Sequence, residues 1–89
     1  MQRNLYVNIT IYTKPNCTYC TQAKALLELY NLPYKSINLS ENESGEGFIS
    51  RDALLQLFPN ARTMPQIVVD GETLGGFTEL KTFLQKQFI

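Results

Sequence analysis

Val7-Asn8-Ile9-Thr10-Ile11-Tyr12-Thr13-Lys14-Pro15-Asn16-Cys17-Thr18-Tyr19-Cys20 decides how the rest of the chain is read. Its first half is rich in β-branched residues and predicts a strand over Val7–Thr13, with Ile9 and Ile11 on one face. Pro15-Asn16 ends the strand. From Thr18 the period becomes helical, placing Cys20, Ala23, Leu27 and Tyr30 on one face with Leu26 beside them. Asn31 and Pro33 close that helix. Both cysteines of the chain therefore fall at a strand-to-helix junction.

The same reading continues outward. Tyr34–Leu39 alternates and predicts a second strand, Ser40–Gly47 is a polar loop, and Phe48–Phe58 predicts a second helix closed by Pro59-Asn60. Gln66–Val69 is a short buried strand, Asp70-Gly71 signals a hairpin turn, and Glu72–Leu74 is the partner strand. Gly75-Gly76 breaks the hairpin. Thr78 is the expected cap of a last helix carrying Leu80, Phe83, Leu84 and Phe88 on one side. The order β-α-β-α-β-β-α contains a right-handed parallel crossover followed by an antiparallel hairpin. The expected fold class is α/β: one domain over residues 1–89, with a mixed four-stranded sheet flanked by three helices on both faces.

Composition sets bounds on function. The 89 residues are 44% hydrophobic and 18% charged, with eight basic and eight acidic side chains. A chain of this length buries only about 60–65% of its unfolded surface, so its core must be compact. Zero formal net charge offers nothing to nucleic acid or to an anionic membrane, and neither is expected as a partner. The charges are uneven, however: Arg3, Lys14, Lys24 and Lys35 face only Glu28 within residues 1–40, so the cysteine segment is mildly electropositive. No apolar run approaches the ~18 residues of a membrane helix, and Met1–Tyr6 lacks the apolar region of a signal peptide. The expected location is cytoplasmic, where disulfides are more often transient and catalytic than structural.

Cys-x-x-Cys in such a chain reads as a redox pair. Cys17 stands at the helix start, where free backbone N–H groups and the helix dipole favour an anion. Thiolates so placed titrate from roughly 3.5 to 7.5, against about 8.5 for a free cysteine, and Lys14 adds a nearby positive charge. Cys17 is expected to be exposed and nucleophilic, and Cys20, one turn on, protected and resolving. Other readings of the pair fit less well. Structural zinc needs four ligands, and the chain offers two cysteines and no histidine, which leaves only a site shared across a dimer. A staple closing so small a loop stabilises little, and burial as plain core residues suits Cys20 but not Cys17.

Two further segments bear on the site. Pro65 forces Met64 in Thr63-Met64-Pro65-Gln66 into an extended conformation; with a cis bond, the backbone of Met64 would face outward and pair with an extended thiol peptide. Gly75-Gly76-Phe77-Thr78-Glu79 permits a tight turn that delivers a helix N-terminus, a place suited to a carboxylate. Read alone, each is equally an edge-strand proline or a plain capped turn.

Lys14-Pro15-Asn16-Cys17-Thr18-Tyr19-Cys20, Thr63-Met64-Pro65-Gln66 and Gly75-Gly76-Phe77-Thr78, in that order across Ile9 to about Phe88, resemble the dithiol glutaredoxins. The resemblance implies a thioredoxin fold, glutathione as electron donor, no metal, a monomer, and disulfide-containing or glutathionylated proteins as partners. It implies that Cys17 is the nucleophile and Cys20 the resolving thiol. Lys14, Tyr19, Thr63, Met64, cis-Pro65, Gly76, Phe77 and Thr78 match positions that hold glutathione, and Arg51 matches a position that meets its glycine carboxylate. The Arg51 match treats Pro59-Asn60 as a one-residue insertion; otherwise Asp52 falls there. Thr18 departs from the usual proline, and Thr78 stands where the family more often has an acid. The alternatives are a small redoxin reduced by a flavoprotein (thioredoxin) reductase instead of glutathione, and, as in some relatives without the intervening proline, a carrier of an iron–sulfur cluster held between two subunits with glutathione as co-ligand.

Overall fold

The computed structural model describes residues 7–87. Its elements run β1 (Ile9–Thr13), α1 (Thr18–Leu29), β2 (Lys35–Leu39), β3 (Phe48–Ile49), α2 (Arg51–Leu57), β4 (Gln66–Val69), β5 (Glu72–Gly75) and α3 (Phe77–Gln87). The sheet has five strands in the order β3-β2-β1-β4-β5. β1 pairs parallel with β2, as the crossover through α1 requires, and antiparallel with β4. β4 and β5 form the hairpin expected at Asp70-Gly71, both at positive φ as a tight primed turn demands. The placement of Phe88 lies outside the described residues.

The fifth strand corrects the second predicted helix. Phe48 and Ile49 are not helical; they lie parallel beside Asn38 and Leu39, and the Ser40 N–H donates to the Ile49 carbonyl at 2.9 Å. Helix α2 starts only after Ser50, whose hydroxyl accepts from the Ala53 N–H at 3.1 Å. A serine cap followed by a short apolar stripe is a clear helix start. The two residues before it are extended because that posture half-buries them against β2.

The core follows from β1. Ile9, Ile11 and Thr13 are buried on one face, where Ala23 and Leu27 of α1 meet Ile67 of β4 and Leu80 and Leu84 of α3. Tyr12 points the other way, and its ring meets Phe58, just after α2, edge-on at 5.2 Å. Helices α1 and α3 therefore share one face and α2 covers the other. At the end of α1, Asn31 takes positive φ, and the Asn31 and Leu32 N–H groups donate to the Glu28 and Leu27 carbonyls. The Tyr34 hydroxyl donates to Glu28 Oε2 at 2.9 Å, and partial burial together with that carboxylate raises its pKa above the usual 10.0. Thr13 Oγ1 donates to Asn38 Oδ1, joining the ends of β1 and β2 directly beneath the cysteine turn.

Candidate active site

β1 ends at Thr13, and the chain turns through Lys14-Pro15-Asn16, where Asn16 takes φ 56°. Asparagine tolerates the left-handed region better than most residues, and the turn leaves Cys17 extended as the cap of α1. The Cys20 N–H donates to Cys17 Sγ at 3.1 Å, so the sulfur takes the place of a serine or aspartate cap. Cys17 and Cys20 form a disulfide with their Cα atoms 5.2 Å apart. Cys20 is 2% exposed in the core-facing wall, and Cys17 is half-buried rather than fully exposed. The burial of Cys17 has two causes: its bond to Cys20 and the approach of Met64, whose carbonyl oxygen lies 3.7 Å from Cys17 Sγ.

The Met64–Pro65 bond is cis, and Pro65 is fully buried where the segment enters β4. Gly75 and Gly76 fold in beside it. A Cβ on Gly76 would approach the Pro65 carbonyl oxygen to 3.4 Å, and one on Gly75, at φ 131°, would meet Glu79 Cγ at 2.7 Å. Gly75 alone is held to glycine, by its φ and by this contact, whereas a side chain at Gly76 would meet only ordinary van der Waals contact. Gly75→Ala is accordingly expected to destabilise the fold by about 1–3 kcal/mol through positive φ and overpacking. Chemical denaturation checks this, and a midpoint equal to that of the parent would refute it.

Thr78 does not cap α3. The helix begins at Phe77, the Leu80 N–H bonds the Gly76 carbonyl at 3.0 Å, and the Gly76 N–H donates to Glu79 Oε1 at 2.9 Å. Gly76 is the cap residue, with Glu79 reaching back as in a capping box. Thr78 is exposed in the first turn. The sequence carried the signal for Glu79: an acid three residues after the second glycine.

A groove of about 320 Å³ joins these parts, lined by Tyr19, Thr63, Met64, Pro65, Gly76, Phe77, Thr78 and Glu79. Tyr19 is 59% exposed, and its ring leans over Phe77 with centroids 5.8 Å apart, while Lys81 Nζ sits 5.6 Å from the Phe77 ring centre. Lys14 and Arg51 line a smaller adjoining cleft of about 160 Å³ that shares Thr63 and Met64 with the groove. Asp52 does not line it. The glutathione-site residues singled out from the sequence thus line these two adjoining clefts, with Leu39, Leu54, Leu55 and Ala61 as further lining residues that the motifs did not mark. Among the described residues no group of three or more His, Cys, Asp or Glu side chains comes together, and no helix is long and apolar enough to cross a membrane.

Such an arrangement suits thiol chemistry: one sulfur at a helix start beside an open groove, the other buried behind it. Comparison with known proteins agrees, for the glutaredoxin family model matches residues 9–74. The chain belongs to the glutaredoxin family. Glutaredoxin 1 of Rickettsia typhi is 35% identical over 82 residues, covering 90% of this chain and 73% of the relative. Human mitochondrial glutaredoxin-2 is 39% identical over 71 residues, covering 80% of this chain but only 42% of the human protein, so the chain spans less than half of that relative. A buckwheat glutaredoxin–glutathione complex shares the fold, with a TM-score of 0.70 at 24% identity over 93% of this chain and 73% of the buckwheat chain. The thioredoxin-like α/β architecture expected from the glutaredoxin motifs is therefore the one adopted, with one strand more than the periodicity suggested.

Proposed function

We propose that this glutaredoxin domain is a glutathione-dependent thiol–disulfide oxidoreductase acting on protein disulfides and protein–glutathione mixed disulfides. The observation that carries the proposal is the position of Cys17 Sγ, held by the Cys20 N–H and 3.7 Å from the Met64 carbonyl, between the buried Cys20 and the groove. The groove's dimensions and its mixed lining of aromatic rings and backbone suit an extended tripeptide. Glutathione is accordingly assigned to Tyr19, Thr63, Met64, Pro65, Gly76, Phe77 and Thr78, with Lys14 and Arg51 toward its glycine carboxylate. The carboxylate of Glu79 offers its amine the acid that Thr78 lacks. The printed description of the buckwheat relative as a glutathione complex supports this assignment.

In the proposed cycle, the Cys17 thiolate attacks the glutathione sulfur of a mixed disulfide. A new S–S bond forms, the old one breaks, and the protein thiolate leaves to take up a proton. The thiolate of a second glutathione then attacks the bound glutathione sulfur, releasing glutathione disulfide and restoring the Cys17 thiolate. With a protein disulfide, Cys17 forms the mixed disulfide, and the Cys20 thiolate attacks Cys17 Sγ to release the reduced protein. The product is the Cys17–Cys20 disulfide, which two glutathione molecules reduce in turn. No histidine is needed, because the nucleophile is a thiolate before the substrate arrives.

The test is coupled turnover of a glutathionylated protein with glutathione and glutathione reductase, set against thioredoxin reductase alone. Sustained turnover only with glutathione is expected. Turnover only with the flavoprotein reductase would sink the glutathione assignment.

A further inference from the structure

The disulfide has a second accessible side. Away from the groove, a cleft of about 540 Å³ is bounded by Lys14, Asn16, Cys17, Cys20, Thr21 and Lys24. Its charged side chains are all cationic, and α1 carries no acidic residue in its first turn. Lys24 follows Cys20 by one helical turn, so helical geometry stacks it on the same stripe as both cysteines. Among the described residues, neither Lys14 nor Lys24 has a carboxylate within ion-pairing distance. The two faces of the reactive pair therefore differ. The groove is lined by the acidic Glu79, whereas the cleft is lined by two lysines together with both cysteines.

We propose that this cleft docks the target polypeptide, and that it selects targets whose reactive cysteine is flanked by acidic residues. The inference rests on the exchange chemistry proposed above. A protein disulfide that meets Cys17 must lay its neighbouring residues on the surface next to that sulfur. With the groove and Lys14 assigned to glutathione, Lys24 is the charged side chain left on the other side of the cysteines, and it carries the selection. Charge complementarity at such a surface acts mainly on encounter rate and partner choice. Lys24 has no place in the glutathione groove, so its charge can be changed without touching that assignment.

The experiment uses the full chain, reduced beforehand, in single-turnover exchange without glutathione. The probes are mixed disulfides of 2-mercaptoethanol with three cysteine peptides, identical except for glutamate, serine or lysine on either side of the cysteine. The parent protein is expected to react about three- to tenfold faster with the glutamate peptide than with the lysine peptide, a range suited to exposed charge pairs. That preference should collapse at about 0.5 M salt, where screening shortens the reach of surface charges to a few ångströms. K24E is expected to invert the ranking and K24Q to weaken it, with the serine peptide unaffected in both; K24Q also decides the matter if K24E folds poorly. An unchanged ranking in both variants would overturn the proposal. So would an equal slowing of all three peptides, which would give Lys24 a role in the thiol chemistry itself. Because the assay consumes no glutathione, a failure of glutathione-coupled turnover is read separately from it.

Discussion

Cys17→Ser is expected to abolish exchange with every substrate, whereas Cys20→Ser is expected to retain removal of glutathione from mixed disulfides and to lose reduction of protein disulfides. The asymmetry comes from burial and from the backbone. Cys17 Sγ borders open surface and accepts the Cys20 N–H, while Cys20 is 2% exposed behind it. Only the first can reach a sulfur outside the protein. A serine at position 17 keeps a helix cap but not a thiolate, so the loss of rate is expected to be roughly 10³-fold or more, as for the removal of other covalent nucleophiles. At position 20 the loss is expected to be selective, because in the proposed cycle the buried thiol acts only when a mixed disulfide with a protein must be resolved internally. Two assays, one on a glutathionylated protein and one on a protein disulfide, separate the roles. Equal losses in both assays for both variants would contradict the assignment.

The second large effect concerns the fold. Ile67→Ala is expected to lower the stability by about 2–5 kcal/mol. Ile67 is 0% exposed in β4, pairs with Ile11 of β1 and with Gly75 of β5, and belongs to the cluster that joins α1 to α3. Few neighbours can move to fill the space, since strands flank it on both sides. Domains of this size have total stabilities of about 5–15 kcal/mol, so one substitution removes a large fraction. Urea denaturation should show a lowered midpoint with an unchanged slope. A loss below about 1 kcal/mol would mean that the core collapses around the gap.

Much of this architecture was legible in the residues. The β-branched run before Thr13, the cysteine-bearing helix face, the Asp70-Gly71 turn and the two glycines before Phe77 each have a local cause, and each recurs in the structure where local chemistry puts it. Phe48 and Ile49 were not legible as a strand. Two residues carry no period, and their extended form comes from pairing with Asn38 and Leu39, which no local pattern announces. The cap of α3 was misread for a related reason. Threonine is a strong cap by composition, but the Glu79 carboxylate, which accepts from the Gly76 N–H, settles the start two residues earlier than Thr78 would. Along the site, the motifs marked the groove but not Lys24, which acquires meaning only once the start of α1 is known. That Arg51 rather than Asp52 borders Lys14 likewise follows from where Ser50 caps α2.

The sulfur of Cys17 is at once the cap of α1 and the atom that reacts. Redox state and folding stability are consequently two sides of one thermodynamic cycle. A charged sulfur facing the first turn stabilises the reduced helix more than a neutral disulfide sulfur does. By linkage, that difference is carried into the thiol–disulfide equilibrium of the pair, where it favours the reduced form. The device that holds the helix start also biases the direction in which electrons flow.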